Sequence, residues 1–222
     1  MSFQIINFMK SWSQRYRCFS DRRFIFSFIL SLVLIFVGLA LNYFSGVYAT
    51  ERASNPVTDV ILSNIPIFDV GTIFVYATFI FWIFVIGLLI YRPSTIPFIL
   101  KSIVLFIIVR SVFISLTHIG HFPDLTNLTS TTIFPHFLFG LFGGGLFFSG
   151  HTGLPFLLAL LFWNDKKLRN IFMASSIIFA VLVLLGHLHY SIDVLGAFFI
   201  TYTIAVIARK LFNEDHQLFL QG

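Results

Sequence analysis

Six apolar segments of this chain approach the length that a helix needs to cross a lipid bilayer, which is about 20 residues. We predict spans at residues 24–46, 70–91, 98–117, 148–163, 170–187 and 190–208. An even number of spans puts both termini on one side of the membrane. The pattern therefore predicts an all-α integral membrane protein with six transmembrane helices.

The segments between and beyond these spans differ in character. Residues 1–23 form a basic N-terminal segment that is either an interfacial amphipathic helix or a basic tail, residues 24–210 a six-span catalytic domain, and residues 211–222 a C-terminal tail. Residues 133–146 hold Pro135, His136 and a triple glycine at 143–145, which make a poor helix interior. We expect this stretch to be a partly buried or re-entrant loop.

Composition excludes the other broad classes of protein. Apolar residues make up 58% of the 222 residues, and charged residues only 10%, against a usual share near 25%. Such a chain has too little polar surface to cover a soluble domain, and it is too hydrophobic to be disordered. The single cysteine, Cys18, rules out a disulfide scaffold.

The distribution of basic residues predicts the orientation in the membrane. Of the 14 lysines and arginines, Arg52 and Arg110 are the exceptions, and the rest fall on one side of the predicted spans. The positive-inside rule makes that side cytoplasmic, so both termini are expected there. The net charge of +5 then reflects topology and anionic inner-leaflet lipid, and no basic domain points to nucleic acid.

Ionisable residues inside spans are costly and therefore candidates for function. The candidates are Arg110, His136, His151, His187, His189 and Asp193.

The first motif, Phe148-Ser149-Gly150-His151-Thr152-Gly153, opens span four at its outer end. Ser149 is a suitable helix N-cap, and Gly150 lets a ligand approach the backbone closely. A helix N-terminus also binds phosphate well. His151 then stands beside an anion site or, alternatively, only caps the helix at the membrane interface.

The second motif, Gly186-His187-Leu188-His189-Tyr190-Ser191-Ile192-Asp193-Val194, opens span six. His189 and Asp193 are four residues apart and share a helical face. A carboxylate in this place fixes the imidazole tautomer and makes the other ring nitrogen a better nucleophile. The alternative is a His–Asp pair that only anchors two helices.

Topology brings the two motifs together. Spans four and six run in the same direction, so both motifs are expected at the outer surface. Arg110 lies nine residues after Lys101, roughly 13–14 Å along a helix, in the outer half of span three. Its guanidinium is suited to phosphate oxygens, or else pairs with Asp193 or Asp124.

Together these residues resemble the type-2 phosphatidic-acid phosphatase superfamily, and most closely its sphingomyelin synthase and ceramide phosphoethanolamine synthase branch. The resemblance rests on Ser-Gly-His-Thr at 149–152, His-Tyr-Ser-Ile-Asp-Val at 189–194, and Arg110-Ser111 followed by Thr117-His118. Two departures separate the chain from the phosphatase branch. Leu182-Val183 replace its Ser-Arg pair, and Val85 stands where its first motif has lysine before Arg92-Pro93.

The resemblance implies a phosphotransferase that moves a phospho-alcohol head group from a phospholipid to ceramide or diacylglycerol. His189 would be the nucleophile that forms a phosphohistidine, Asp193 its orienting partner, and His151 the general acid and base. The expected substrate-binding residues are Arg110, Ser149, Gly150, His187 and Tyr190. No cofactor or metal is expected, because the histidines lack the ligand spacing of a known zinc site.

Two other functions remain open. Water in place of the lipid acceptor would give a lipid phosphatase or a phospholipase C type hydrolase. A carrier or scaffold would need the polar residues to pair only with one another. The expected location is a bacterial inner membrane or a eukaryotic endomembrane, with the active site facing the periplasm, exoplasm or lumen. The expected partners are the lipid substrates, and the sequence does not predict an oligomeric state.

Overall fold

The computed structural model describes residues 14–123 and 147–221, and in these ranges the chain forms helices and no strand. The all-α prediction is confirmed. The main helices are α1 (Arg22–Glu51), α2 (Gly71–Tyr91), α3 (Ile96–Leu116), α4 (Gly150–Leu161), α5 (Lys166–Leu185), α6 (Ser191–Leu211) and α7 (Asn213–Gln221). Short 3-10 turns lie at Tyr16–Ser20, Leu62–Asn64 and Pro93–Thr95.

Helices α1 to α6 coincide with the six predicted spans. Five of them are long and apolar enough to cross a membrane, which makes this a multi-pass membrane protein. The exception is α4, whose 12 residues extend only about 18 Å. The predicted loop at 133–146, with His136, lies outside the described residues, as do Asp124 and residues 1–13 of the N-terminal segment.

Helix α1 packs against α3 through a face of small side chains. Its buried positions include Ser31, Gly38, Gly46 and Ala49. A Cβ atom added at Gly38 would lie 3.7 Å from side-chain carbons of α3. Small residues let two membrane helices approach closely enough for their surfaces to interlock.

Helices α4 and α6 run parallel and are joined at both ends. At one end the Ser149 backbone N–H donates to the Asp193 carbonyl at 3.1 Å. At the other end the Arg209 guanidinium donates to the Leu160 carbonyl. The two histidine motifs therefore lie at the same end of the bundle, as their predicted directions require.

The opposite end of the bundle is closed by α7, which begins within the predicted C-terminal tail. The Lys101 ammonium and the Asp215 carboxylate form a buried ion pair at 2.6 Å. Phe219 is buried as well and packs its ring against Phe98 and Phe162. A polar anchor and an apolar anchor thus hold this short helix under α3 and α4.

Candidate active site

A sharp turn after α5 positions the second motif. The His187 N–H donates to the Leu184 carbonyl at 3.1 Å, and the Leu188 N–H to the Val183 carbonyl at 2.8 Å. These two bonds define a Schellman ending, in which the residue at His187 must adopt a left-handed conformation. His187 has φ = 53°, a conformation that costs a non-glycine residue about 1–2 kcal/mol. The strained turn places His189 directly before the first turn of α6.

His189 is held by the carboxylate predicted from its spacing. Its Nδ1 lies 3.3 Å from Asp193 Oδ2, and the same oxygen accepts the Tyr190 backbone N–H at 3.1 Å. Both side chains are buried. An ionised carboxylate only accepts hydrogen bonds, so Nδ1 carries the proton and Nε2 keeps its lone pair. A pair arranged in this way is suited to nucleophilic chemistry at Nε2.

His151 lies in the first turn of α4, where the cap predicted at Ser149 is present. The Ser149 Oγ accepts the Thr152 N–H at 3.3 Å. The His151 ring packs against Phe74 of α2, with ring centres 4.6 Å apart. It lines a cavity of about 170 Å³ whose walls come from α1 to α5 and are almost entirely apolar.

Arg110 reaches the same cavity from α3 and is almost fully buried. Its Nε donates to the Phe148 carbonyl and its Nη1 to Asn42 Oδ1, both at 3.0 Å. A Cβ added at Gly150 would lie 3.4 Å from Nε, so the glycine lets the guanidinium lie against the start of α4. The guanidinium is thus fixed on two sides next to the first motif.

The structure brings the two motifs and Arg110 into one cluster. The Ser149–Asp193 backbone bond joins the motifs directly, and His151 is near enough to both His189 and Arg110 for their charges to interact. Asp193 is likewise near enough to Arg110 for their opposite charges to attract. Among the described residues, no three His, Cys, Asp or Glu side chains converge as metal ligands.

The other two predicted substrate-binding residues make structural contacts. The Tyr190 hydroxyl donates to the Gly120 carbonyl at 2.8 Å and accepts the Val57 N–H at 3.2 Å. The His187 ring meets Phe122 edge to face, with centres 5.2 Å apart. Both side chains therefore attach the loops outside the bundle to the second motif.

Sequence reasoning missed three polar residues around this cluster. Asn42 lies in the charge-free run that predicts span one, and its amide is a polar signal that a search for ionisable residues does not find. Asp59 lies in the loop between α1 and α2, where a charged residue is ordinary and gives no signal of function. His121 is exposed after α3, and partial desolvation, followed by the charge of His189, lowers its pKa.

Comparison with protein families finds a match to the segment that carries both motifs. Residues 144–210 match the PAP2 superfamily C-terminal model. The match spans α4 to α6 and supports the type-2 phosphatidic-acid phosphatase superfamily, which suggests a lipid phosphatase-type phosphoester enzyme. Neither the curated proteins nor the solved structures give a match.

The PAP2 segment contains Ser149, His151, His189 and Asp193 but only part of the cluster. Arg110 and Asn42 lie before it, on α3 and α1. The Arg110 side of the cluster is thus completed by helices that precede the PAP2 segment.

Proposed function

We propose that this protein is a membrane lipid head-group phosphotransferase. It moves a phospho-alcohol head group from a phospholipid donor to a lipid hydroxyl, as in ceramide or diacylglycerol. The observation that carries the proposal is the His189–Asp193 pair joined to His151 by the Ser149–Asp193 backbone bond. The match of residues 144–210 to the PAP2 superfamily supports the phosphoester chemistry.

In the first step, His189 Nε2 attacks the phosphorus of the donor. A P–N bond forms, and the P–O bond to diacylglycerol breaks. His151 gives its proton to the departing oxygen as general acid, and Asp193 stabilises the charged imidazole of His189. Arg110 and the backbone of Ser149 and Gly150 hold the phosphoryl oxygens as negative charge develops on them.

In the second step, His151 acts as the base. It takes the proton of the acceptor hydroxyl, whose oxygen attacks phosphorus and breaks the P–N bond to His189. The new phospholipid leaves, and both histidines return to their starting protonation states. Histidine suits both roles because its ordinary pKa lies near neutrality.

The cavity favours a lipid as the leaving group. His151 and Arg110 line its polar end, while Ile35 and Ile103 continue it toward the middle of the bundle. The apolar walls suit the start of an acyl chain, with the reacting glycerol oxygen beside His151. Apolar burial then contributes to binding.

Hydrolysis is the second candidate, because the family match concerns a phosphatase superfamily. Water would take the place of the lipid hydroxyl in the second step. The phosphatase branch usually has Ser-Arg where this chain has Leu182-Val183, which argues against a standard phosphatase and leaves phosphodiester hydrolysis open.

We place the reaction on the outer face of the membrane, with both termini in the cytoplasm. The end of the bundle opposite the motifs carries the Arg92–Asp165 and Lys101–Asp215 ion pairs and Arg209. Basic residues gather at cytoplasmic ends of membrane helices.

The test is a product assay on the purified protein in mixed micelles. Fluorescent ceramide or diacylglycerol is incubated with phosphatidylcholine, phosphatidylethanolamine or phosphatidic acid, and products are separated by chromatography. We expect a new fluorescent phospholipid. His189→Ala should lower its formation by at least roughly 1,000-fold, as loss of a nucleophile does, and His151→Ala by about 100- to 10,000-fold.

His216→Gln is the matched control, because His216 lies on α7 against Phe98, at the far end of the bundle. It should keep the activity. A soluble phospho-alcohol or free phosphate without a new lipid would establish hydrolysis instead. Full activity of folded His189→Ala would refute the proposed chemistry.

A further inference from the structure

The outer loop, residues 52–70 between α1 and α2, is bonded to the first turn of α6. Asp59 Oδ2 accepts both the Ser191 N–H, at 2.7 Å, and the Ser191 hydroxyl, at 2.8 Å. Its Oδ1 accepts the N–H groups of Ile61 and Leu62 at 2.9 and 3.0 Å. One buried carboxylate therefore ties the loop to the residue that starts the helix.

A second set of contacts fixes the outer loop against the segment after α3. The Ser54 N–H donates to the His118 carbonyl at 2.7 Å. A Cβ at Gly120 would lie 2.3 Å from the Ser54 carbonyl oxygen, so the two backbones are in direct contact. The Tyr190 hydroxyl bridges Val57 and Gly120. The outer loop is thus held in place by these contacts beside the second motif.

The position of Asp59 along this loop matters for the chemistry. Ser191 is two residues after His189 and two before Asp193, so its N–H lies between the nucleophile and its orienting carboxylate. Asp193 holds the imidazole and the Tyr190 N–H, whereas Asp59 holds the next N–H of the same turn. Rotation of this turn would shift Nε2 relative to the phosphorus.

We propose that Asp59 is a positioning residue for the nucleophile His189, acting through Ser191 from a different part of the chain. The inference rests on the proposed function. It assigns the outer loop a role in the reaction, although the loop lies well before the PAP2 segment.

The hydrogen bonds that Asp59 accepts from the loop and from Ser191 require an ionised carboxylate. Burial opposes the charge of Asp59, but its hydrogen bonds to Leu62, Ser191 and Ile61 outweigh that effect and hold its pKa below the ordinary value. All four partners are donors. An asparagine would point its NH₂ group at one of these donor pairs and break it, with almost no change in side-chain size.

The experiment measures kcat and KM for Asp59→Asn in the product assay. We expect kcat to fall about 10- to 100-fold with little change in KM, because misplacement of a reacting group affects the chemical step. Asp69→Asn is the matched control. Asp69 is in the same loop, but its carboxylate accepts from Gly71 at the start of α2 and not from α6. It should keep its kcat.

Ser191→Ala completes a double-mutant cycle, since it removes only the hydroxyl contact to Asp59. We expect its effect on kcat to disappear in the Asp59→Asn background, because both changes break the same contact between Asp59 and Ser191. If Asp59→Asn does not fold, a fall of kcat in Ser191→Ala supports the inference and an unchanged kcat overturns it.

Other outcomes separate this inference from the proposed function. If His189→Ala is inactive while Asp59→Asn has the same kcat as Asp69→Asn, Asp59 has no positioning role and the proposed function stands. Additive effects of Asp59→Asn and Ser191→Ala would also overturn the inference. An active His189→Ala would overturn both the proposed function and this inference, because His189 would then not be the nucleophile.

Discussion

At the scale of single residues, the contacts of the site join positions that are close along the chain and positions that are far apart. The Ser149 cap was predictable from its spacing to Thr152. The His189–Asp193 contact was predicted from helical spacing, but His189 lies just before α6, and the contact forms because Asp193 in the first turn reaches back to the residues that precede the helix. The partners of Arg110 and Ser191 were not predictable, because Asn42 and Asp59 lie 68 and 132 positions away along the chain. One sequence contains no pattern that relates such distant positions.

Arg110 provides the prediction at this scale. Lysine keeps the charge in Arg110→Lys, but a single ammonium group cannot reproduce the planar fork that reaches both Phe148 and Asn42. We expect activity to fall by about 100-fold through misplacement of the phosphate-binding charge. The unfolding free energy should fall by about 1–3 kcal/mol, because a buried acceptor loses its donor. The product assay and unfolding in mixed micelles measure the two effects.

Arg52→Lys is the control for this change. It replaces arginine by lysine in the same way, but Arg52 is exposed beside Tyr48 and lies outside the bundle. It should leave both quantities unchanged. Equal activity of Arg110→Lys and Arg52→Lys would show that the fork of Arg110 is not needed.

At the scale of elements, the helices were predicted well because bilayer thickness sets the length of an apolar run. Two features escaped that rule. Helix α4 ends at Leu161, before it has the length of a full span, and α7 is too short and polar to register as an apolar segment. Its anchors, Asp215 and Phe219, find their partners only in the folded bundle.

The short helix α4 depends on close packing, which Gly153→Ala tests. A Cβ at Gly153 would lie 2.6 Å from the Phe106 ring and 2.9 Å from Thr201 Oγ1. Both neighbours are buried, so the helices must separate or distort. We expect a loss of about 1–3 kcal/mol in the free energy of unfolding, measured by denaturant titration in mixed micelles.

Gly87→Ala is the matched control on α2, where nothing lies within 4 Å of the added Cβ. Alanine favours helix over glycine, so this change should be neutral or stabilise the protein by up to about 1 kcal/mol. The same sign and size for both variants would contradict close packing at Gly153.

At the scale of the whole molecule, the polar residues of the site are contributed by widely separated parts of the chain. The two motifs come from the PAP2 segment, Arg110 and Asn42 from earlier helices, and Asp59 from the outer loop. The sequence alone identified the motifs and their common end of the bundle. It could not reveal the cavity, because a cavity is formed by side chains of five helices together.

The central claim is that His189 carries the head group covalently during transfer. The most direct measurement incubates the purified protein with a donor phospholipid labelled in its head group, without acceptor. The reaction is quenched in alkali, in which phosphohistidine survives, and the labelled peptide is identified by mass spectrometry. We predict label on His189, its loss on addition of ceramide or diacylglycerol, and no label in His189→Ala. An active protein that carries no label, or carries it on another residue, would contradict the account.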